Sequence, residues 1–293
     1  MVISKTRSIL ISLALSLTFL ISSCSSIQIA YNQADFLLKW WLDDYLDFTD
    51  EQEKFYAQAI PPLLKKHRQE ELPKALQKLR QLRAKLDKPL SEEDGTLVVH
   101  EIKTLSKESI YLAQDDLAKL ALTLDVKQIQ YLQNTFNKLN IKFQNDYLKG
   151  SAEDRLSKRL EKIIERTEAF SGDLSKSQKS QLKEIAKEYL LDMQIVYQTR
   201  IFKQQLIIST LKKISSEQPT LPQVKTLLNQ LFTEIELGST TEQKEFEKKR
   251  DLHSGIILSK TTELLDQSQR KKAQEKIRAW ENELQTLIQQ KTK

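Results

Sequence analysis

The stretch LDVKQIQYLQNTFNKLNIKF, residues 124–143, sets the terms for the whole chain. Its apolar residues Ile129, Leu132, Phe136, Leu139 and Phe143 recur at spacings of three and four. On a helix of about 3.6 residues per turn, that spacing keeps one stripe facing a partner. The start is punctuated as well. Asp125 can accept the backbone amide of Gln128, and the Gln128 side chain can reach back to the amide of Asp125, which is a capping box. Leu124, just before the cap, can pack on Ile129 as a hydrophobic staple. The reading is an amphipathic helix with a marked beginning.

Working outward, the same stripe recurs as Leu156, Leu160, Ile163, Thr167, Phe170, then as Leu221, Val224, Leu228, Leu231, Ile235. A fourth runs Ala273, Ile277, Trp280, Leu284, Leu287. Each repeats about every 3.5 residues, as in bundles and short coiled coils. Gly150, Gly172 and Gly238 stand where C-terminal caps belong, and Pro61-Pro62, Pro73, Pro89, Pro219 and Pro222 mark kinks or first turns. Helices are predicted near 33–47, 50–70 with a kink at the proline pair, 73–87, 92–122 with an interruption left open, 126–149 and 152–170. Further helices are predicted near 176–214, 221–237, 241–264 and 267–290.

Composition agrees. The chain has 5 Gly and 6 Pro among 293 residues, about 4% together, against a usual share of roughly 12%. That is too few corners for a β-sandwich, a barrel or a glycine-loop nucleotide fold. With 39% apolar and 29% charged residues, the chain is neither disordered nor a polytopic membrane protein. The predicted class is all-α: an elongated multi-helix bundle of amphipathic helices with coiled-coil-like packing. An N-terminal helical region, 33–170, and a C-terminal one, 171–293, meet at Gly172; no flexible linker is visible there, so they also read as one continuous domain.

Residues 1–23 read as a signal peptide, with Lys5 and Arg7 before an apolar run from Ile9 to Leu20 that is too short to span a bilayer well. The only cysteine follows at once, in Ile21-Ser22-Ser23-Cys24. This resembles the bacterial lipobox, which implies a diacylglycerol on the Cys24 sulfur, an acyl chain such as palmitate on its amino group, and a lipidated tether over 24–32. Two or three chains give stable anchoring, at about 0.8 kcal/mol per buried methylene. Ser25 stands where an aspartate would signal inner-membrane retention, so the same resemblance implies the outer membrane, facing the periplasm. One cysteine allows no intrachain disulfide and no cysteine zinc site. Cleavage after residue 23 lowers the formal charge from +6 to about +4, among 46 − 2 = 44 basic and 40 acidic residues. That surplus reads as a solvated helix surface rather than a nucleic-acid footprint.

The start at Asp125 has companions. Phe48-Thr49-Asp50-Glu51-Gln52, Leu174-Ser175-Lys176-Ser177-Gln178 and Leu265-Asp266-Gln267-Ser268-Gln269 share its pattern, and Leu90-Ser91-Glu92-Glu93-Asp94 is a looser copy. Capping explains them physically. They also look like the LTxxQ motif of small periplasmic stress chaperones, which fold as curved helical hairpins, although this chain is roughly twice their size.

The segment YNQADFLLKWWLDDY, residues 31–45, is the most distinctive. At 100° per residue, Leu37, Leu38, Trp41, Leu42, Tyr45, Leu46 and Phe48 fill one arc. Phe36 and Trp40 fall outside it, among Asp43, Asp44 and Asp47. That second face reads as a packing surface, a docking patch, or a membrane contact, the last disfavoured by its carboxylates. Together with the segments at 48–52 and His67-Arg68-Gln69-Glu70-Glu71-Leu72-Pro73, residues 31–45 resemble an uncharacterised bacterial lipoprotein family with a YNxADxLLxWWLDDY-type motif after the lipobox. The resemblance implies an all-helical lipoprotein without an assigned reaction.

Catalytic and metal constellations are thin. His67, His100 and His253 share no metal-ligand spacing. His67 with Glu70 and Glu71 reads as a solvated ion-pair network. No GxSxG elbow supports a serine hydrolase. The expectation is therefore a non-enzymatic binding or scaffold module with no cofactor or metal, no small-molecule substrate in evidence, the membrane as one partner through its lipid and a protein as another. A holdase-like chaperone or envelope-stress protein is the alternative. An envelope-glycan hydrolase using Asp43, Asp44 or Glu70 is a remote one.

Overall fold

The computed structural model describes residues 26–290. The lipobox residues, Cys24 and Ser25 lie outside them. Among the described residues the chain is all-α, a bundle of twelve helices. These are α1 (Ser26–Asn32), α2 (Ala34–Leu46), α3 (Asp50–Lys85), α4 (Glu92–Leu112), α5 (Gln114–Thr123) and α6 (Val126–Tyr147). They continue as α7 (Ala152–Ser171), α8 (Lys176–Tyr189), α9 (Met193–Glu217), α10 (Leu221–Leu237), α11 (Thr241–Leu264) and α12 (Gln267–Gln289).

Four long helices form an antiparallel layer in the order α12, α3, α4, α11. Leu72 and Leu76 of α3 pack on Leu287 and Leu284, and Leu86 with Leu90 meets Ala273 and Ile277, so the stripe predicted for α12 is the one that is buried. On the other side α4 crosses α11 at two glycines. A Cβ on Gly95 would lie 2.2 Å from the Gly255 carbonyl oxygen, and one on Gly255 would lie 2.6 Å from Thr96 backbone atoms. Only hydrogen at both positions lets the backbones approach so closely. Ser259 Oγ donates to the Leu90 carbonyl at 2.8 Å, and Leu90 N–H donates to Thr262 Oγ1 at 2.8 Å, tying the turn before α4 to α11. A second core gathers under α2, α5, α6, α9 and α10, around Ile129, Leu132, Ile214 and Val224. A third joins α7 and α8 to Leu265.

The structure departs from the predicted elements in three places. Residues 50–85 form one helix across Pro61, Pro62 and Pro73. An interior proline costs about 3 kcal/mol, and α3 is held on both sides of Pro73, by Leu72 and Leu76 on α12 and by Lys74 and Lys78 paired to Glu108 and Glu101 of α4. The segment predicted as 176–214 is two helices, because Leu190 is extended and Asp192 caps a new start by accepting from Gln194 N–H at 2.8 Å. Residues 26–32, expected within the tether, form α1, whose Ile27 and Tyr31 pack against the α3–α12 contact. No helix among the described residues is long and apolar enough to cross a membrane. Gly150, Gly172 and Gly238 all take positive φ, as C-terminal caps require.

All five quoted starts form capping boxes, and the four glutamines do more than cap. Gln52 Nε2 donates to Gln128 Oε1 at 3.0 Å, and Gln128 Nε2 returns a bond to Gln52 Oε1 at 2.7 Å. Their remaining protons go to Thr123 O at 3.2 Å and Asp47 O at 2.9 Å, while each Oε1 also accepts its own cap amide. Gln178 and Gln269 repeat the arrangement, at 2.6 and 3.2 Å to each other and at 2.7 and 2.8 Å to Leu264 O and Asp173 O. In both pairs each amide grips the carbonyl two residues before the partner's cap. A side-chain amide offers two donors and two lone pairs, so these clasps are saturated. Glutamate could not replace glutamine, since it cannot donate when ionised.

Gln52→Ala and Gln128→Ala should each strand buried partners and cost about 1–3 kcal/mol, a Tm loss of about 2–4 °C per kcal/mol. The double variant should cost less than the sum by about 0.5–3 kcal/mol, the coupling of groups in direct contact. Urea melts of the three variants check this, and strictly additive losses would show the amides to be independent.

Candidate functional site

α2 is helical by its apolar period but is only partly packed. Of the arc predicted to face inward, Leu46 is buried, Tyr45 and Phe48 pack on the second core, and Trp41, Leu37 and Leu38 remain 50%, 44% and 37% exposed. The difference has a simple cause: Tyr45 and Leu46 near the C-terminal end of α2 rest on the second core, whereas its N-terminal half meets α3 through the Asp35 carbonyl and the Lys39 ammonium, polar contacts that leave its apolar side chains uncovered. Phe36 and Trp40 are 63% and 62% exposed, high values for side chains that normally dominate cores and interfaces.

The predicted acidic residues take two roles. Asp43 Oδ1 accepts from Phe48 N–H at 2.9 Å, and Asp47 adopts a left-handed conformation at φ 51°, so both build the α2–α3 turn. Asp44 is exposed. Between Asp35 and Glu53 stand seven carboxylates and one basic side chain, Lys39, itself paired with Glu53 at 3.0 Å. Tyr56 donates to the Asp35 carbonyl at 2.6 Å, and burial together with the Asp35 charge pushes its phenol up to about 12. α2 thus presents aromatic rings in a strongly acidic frame.

Under α2 lies an apolar groove of about 700 Å³, walled by Trp41, Leu42 and Tyr45 on one side and by α5, α6, α9 and α10 on the others. Sequence reasoning missed it, since its walls come from helices far apart in the chain. At its polar end Arg200 donates to Asn140 Oδ1 at 2.9 Å, while Lys203 and Arg250 both pair with the buried Glu247.

His67 is not in a solvated network. Its Nδ1 lies 3.0 Å from Tyr31 OH of α1 and its Nε2 lies 3.2 Å from Ser109 Oγ of α4. Glu71 is 5% exposed and pairs with Lys74 at 3.0 Å. This places a hydroxyl beside an imidazole, but the third member is a phenol rather than a carboxylate, and the Ser109 hydroxyl points to Leu105 O at 2.9 Å within its own helix. Helical amides around Ser109 are already bonded and form no oxyanion hole. The contact is better suited to fastening α1 onto α3 and α4. Among the described residues no cluster of three or more histidine, cysteine or acidic side chains is placed to hold a metal.

A family model described as a family of unknown function (DUF6279) matches residues 44–236, about two-thirds of the chain. The match takes in the whole Gln52–Gln128 clasp and begins within the acidic end of α2, leaving Tyr31, Phe36 and Trp40 ahead of it. No curated protein and no solved structure matches.

Burial holds the His67 imidazole below its ordinary range, partly offset by the charge of Glu71. The folded state therefore binds fewer protons than the unfolded chain between its own pKa and about 6.5. This contribution to stability is complete above about pH 6.5 and is lost as pH falls toward the folded value. Tm measured from pH 8 to pH 5 should drop more steeply for the wild type than for His67→Gln, and parallel curves would contradict the assignment.

Proposed function

From the premise that the chain belongs to DUF6279, a family of unknown function, we propose that it is an outer-membrane lipoprotein that binds a protein partner through α2. Its address rests on the signal-like residues 1–23 and on Ile21-Ser22-Ser23-Cys24-Ser25. Cys24 carries the acyl and diacylglycerol chains, and the body of the protein faces the periplasm. The observation that carries the binding role is the exposure of Phe36 and Trp40 on a helix whose own charged residues are Asp35, Lys39, Asp43 and Asp44. Buried aromatic anchors dominate interface energetics, and a charged frame around them sets the choice of partner. An acidic frame selects a segment that is basic at its rim and apolar at its centre, and it repels an anionic bilayer surface.

The holdase reading rested on the repeated glutamine motif. Those glutamines are bonded within the fold, so the motif itself presents no client surface, and the binding module is the reading preferred.

The test is a photoreactive phenylalanine at position 40 in living cells, with and without Cys24→Ala. Discrete adducts to a protein with a basic surface segment are expected, and they should diminish when Cys24→Ala abolishes fatty-acid labelling and mislocalises the chain. Adducts to phospholipid alone would instead mark a membrane contact and overturn the proposal. Equal fatty-acid labelling of both chains would overturn the address.

A further inference from the structure

We propose that the apolar groove under α2 is a binding site for one long-chain fatty acid, with the acyl chain lying along α9 and the carboxylate held by Arg200. This does not depend on the partner assigned to the outer face of α2.

Size comes first. From Arg200 the groove follows α9 to Leu211, about 16 Å at 1.5 Å per residue. One leaflet of a bilayer offers its acyl chains about 15 Å, half of a hydrocarbon core of about 30 Å, so the groove is long enough for a membrane acyl chain. Away from the polar group around Arg200 its lining is apolar side chains, as a hydrocarbon chain requires.

Chemistry picks the head group. The polar side chains lining the groove, Thr199, Arg200, Lys203, Gln204 and Arg250, come from one stretch of α9 and the facing part of α11, and the rest of the lining is apolar. Lys203 and Arg250 share Glu247, and Arg250 and Lys103 share Asp251. Arg200 has no carboxylate within 4.0 Å among the described residues; its Nε is bonded to the neutral Asn140, and it lies over the Phe143 ring at 5.7 Å. The two terminal nitrogens of a guanidinium match the two oxygens of a carboxylate. The buried contact of Asn140 with Gln204 at 2.7 Å fixes the platform on which Arg200 stands.

The test is a palmitate bearing a diazirine on its chain, photolysed with the full chain in membranes. Label should map to peptides carrying the groove residues Leu120, Leu231 and Phe232, and unlabelled palmitate should displace it. Hexadecanol, which lacks the carboxylate, should compete at least about tenfold less, as expected from loss of a charge-assisted bond. Arg200→Lys should keep part of the labelling, since an ammonium preserves the charge but not the two-nitrogen fork, and Arg200→Gln should lose about tenfold or more. The proposal is overturned if label settles on Phe36 and other exposed side chains without competition. Hexadecanol competing as well as palmitate, a phosphate-headed lysolipid competing better, or Arg200→Gln labelling like the wild type would each overturn it too.

Discussion

Two pairs of glutamine amides, the buried Gln52 with Gln128 and the half-buried Gln178 with the buried Gln269, are the constraint from which the arrangement of this protein follows. Each glutamine caps its own helix, grips its counterpart and holds a backbone carbonyl just before the counterpart's cap. One pair of side chains thereby fixes two helix starts and two preceding turns in a single geometry. Saturated amide pairs also carry no charge to desolvate, which makes them a cheaper registration device than a buried ion pair. The apolar residues before the caps reinforce them: Leu174 and Leu265 are buried together, and Leu124 lies in the same core as Phe48.

The first clasp also aims α2. Gln128 Nε2 holds the carbonyls of Leu46 at 3.0 Å and Asp47 at 2.9 Å, the point where the chain turns through a left-handed residue from α2 into α3. With the turn fixed there, and with Asp43 bonded across it, the C-terminal half of α2 closes over the second core. The N-terminal half, held to α3 at Asp35 and Lys39, keeps Phe36 and Trp40 uncovered. One rigid turn therefore produces both features of interest, an exposed acidic–aromatic face outside and an apolar groove beneath. Trp41 and Tyr45, whose ring centroids lie 4.9 Å apart, wall that groove.

Much of the fold was legible because helix punctuation is local. The capping boxes, the glycine caps and the stripes of α6, α10 and α12 are written within a few residues of where they act. What was not legible is tertiary. Nothing near Gln52 signals a partner 76 residues away. Gly95 and Gly255 lie inside helical patterns where an isolated glycine hints at close packing, yet which two helices cross there is set by the whole bundle. The run through three prolines in α3 shows packing overriding a local breaker, and the break at Asp192 shows a cap that was legible and read through. As for the candidate site, Phe36 and Trp40 could be placed off the main apolar arc from periodicity alone. Their exposure, and the exposure of Leu37 and Trp41 within that arc, depends on which side chains of α2 its tertiary neighbours cover. The groove, assembled from five helices and more, had no local signature at all.

The central claim is that the rings on α2 stand in water within a field of carboxylates. A chain with Trp41→Phe and Trp280→Phe keeps Trp40 as its sole indole, and its fluorescence can be quenched separately by caesium and by iodide. Seven carboxylates against one paired lysine between residues 35 and 53 should attract the cation and exclude the anion, most strongly at low ionic strength. Efficient quenching by caesium, weak quenching by iodide and emission typical of a hydrated indole are the expected result. An indole shielded from both ions, or quenched more readily by iodide, would contradict the account.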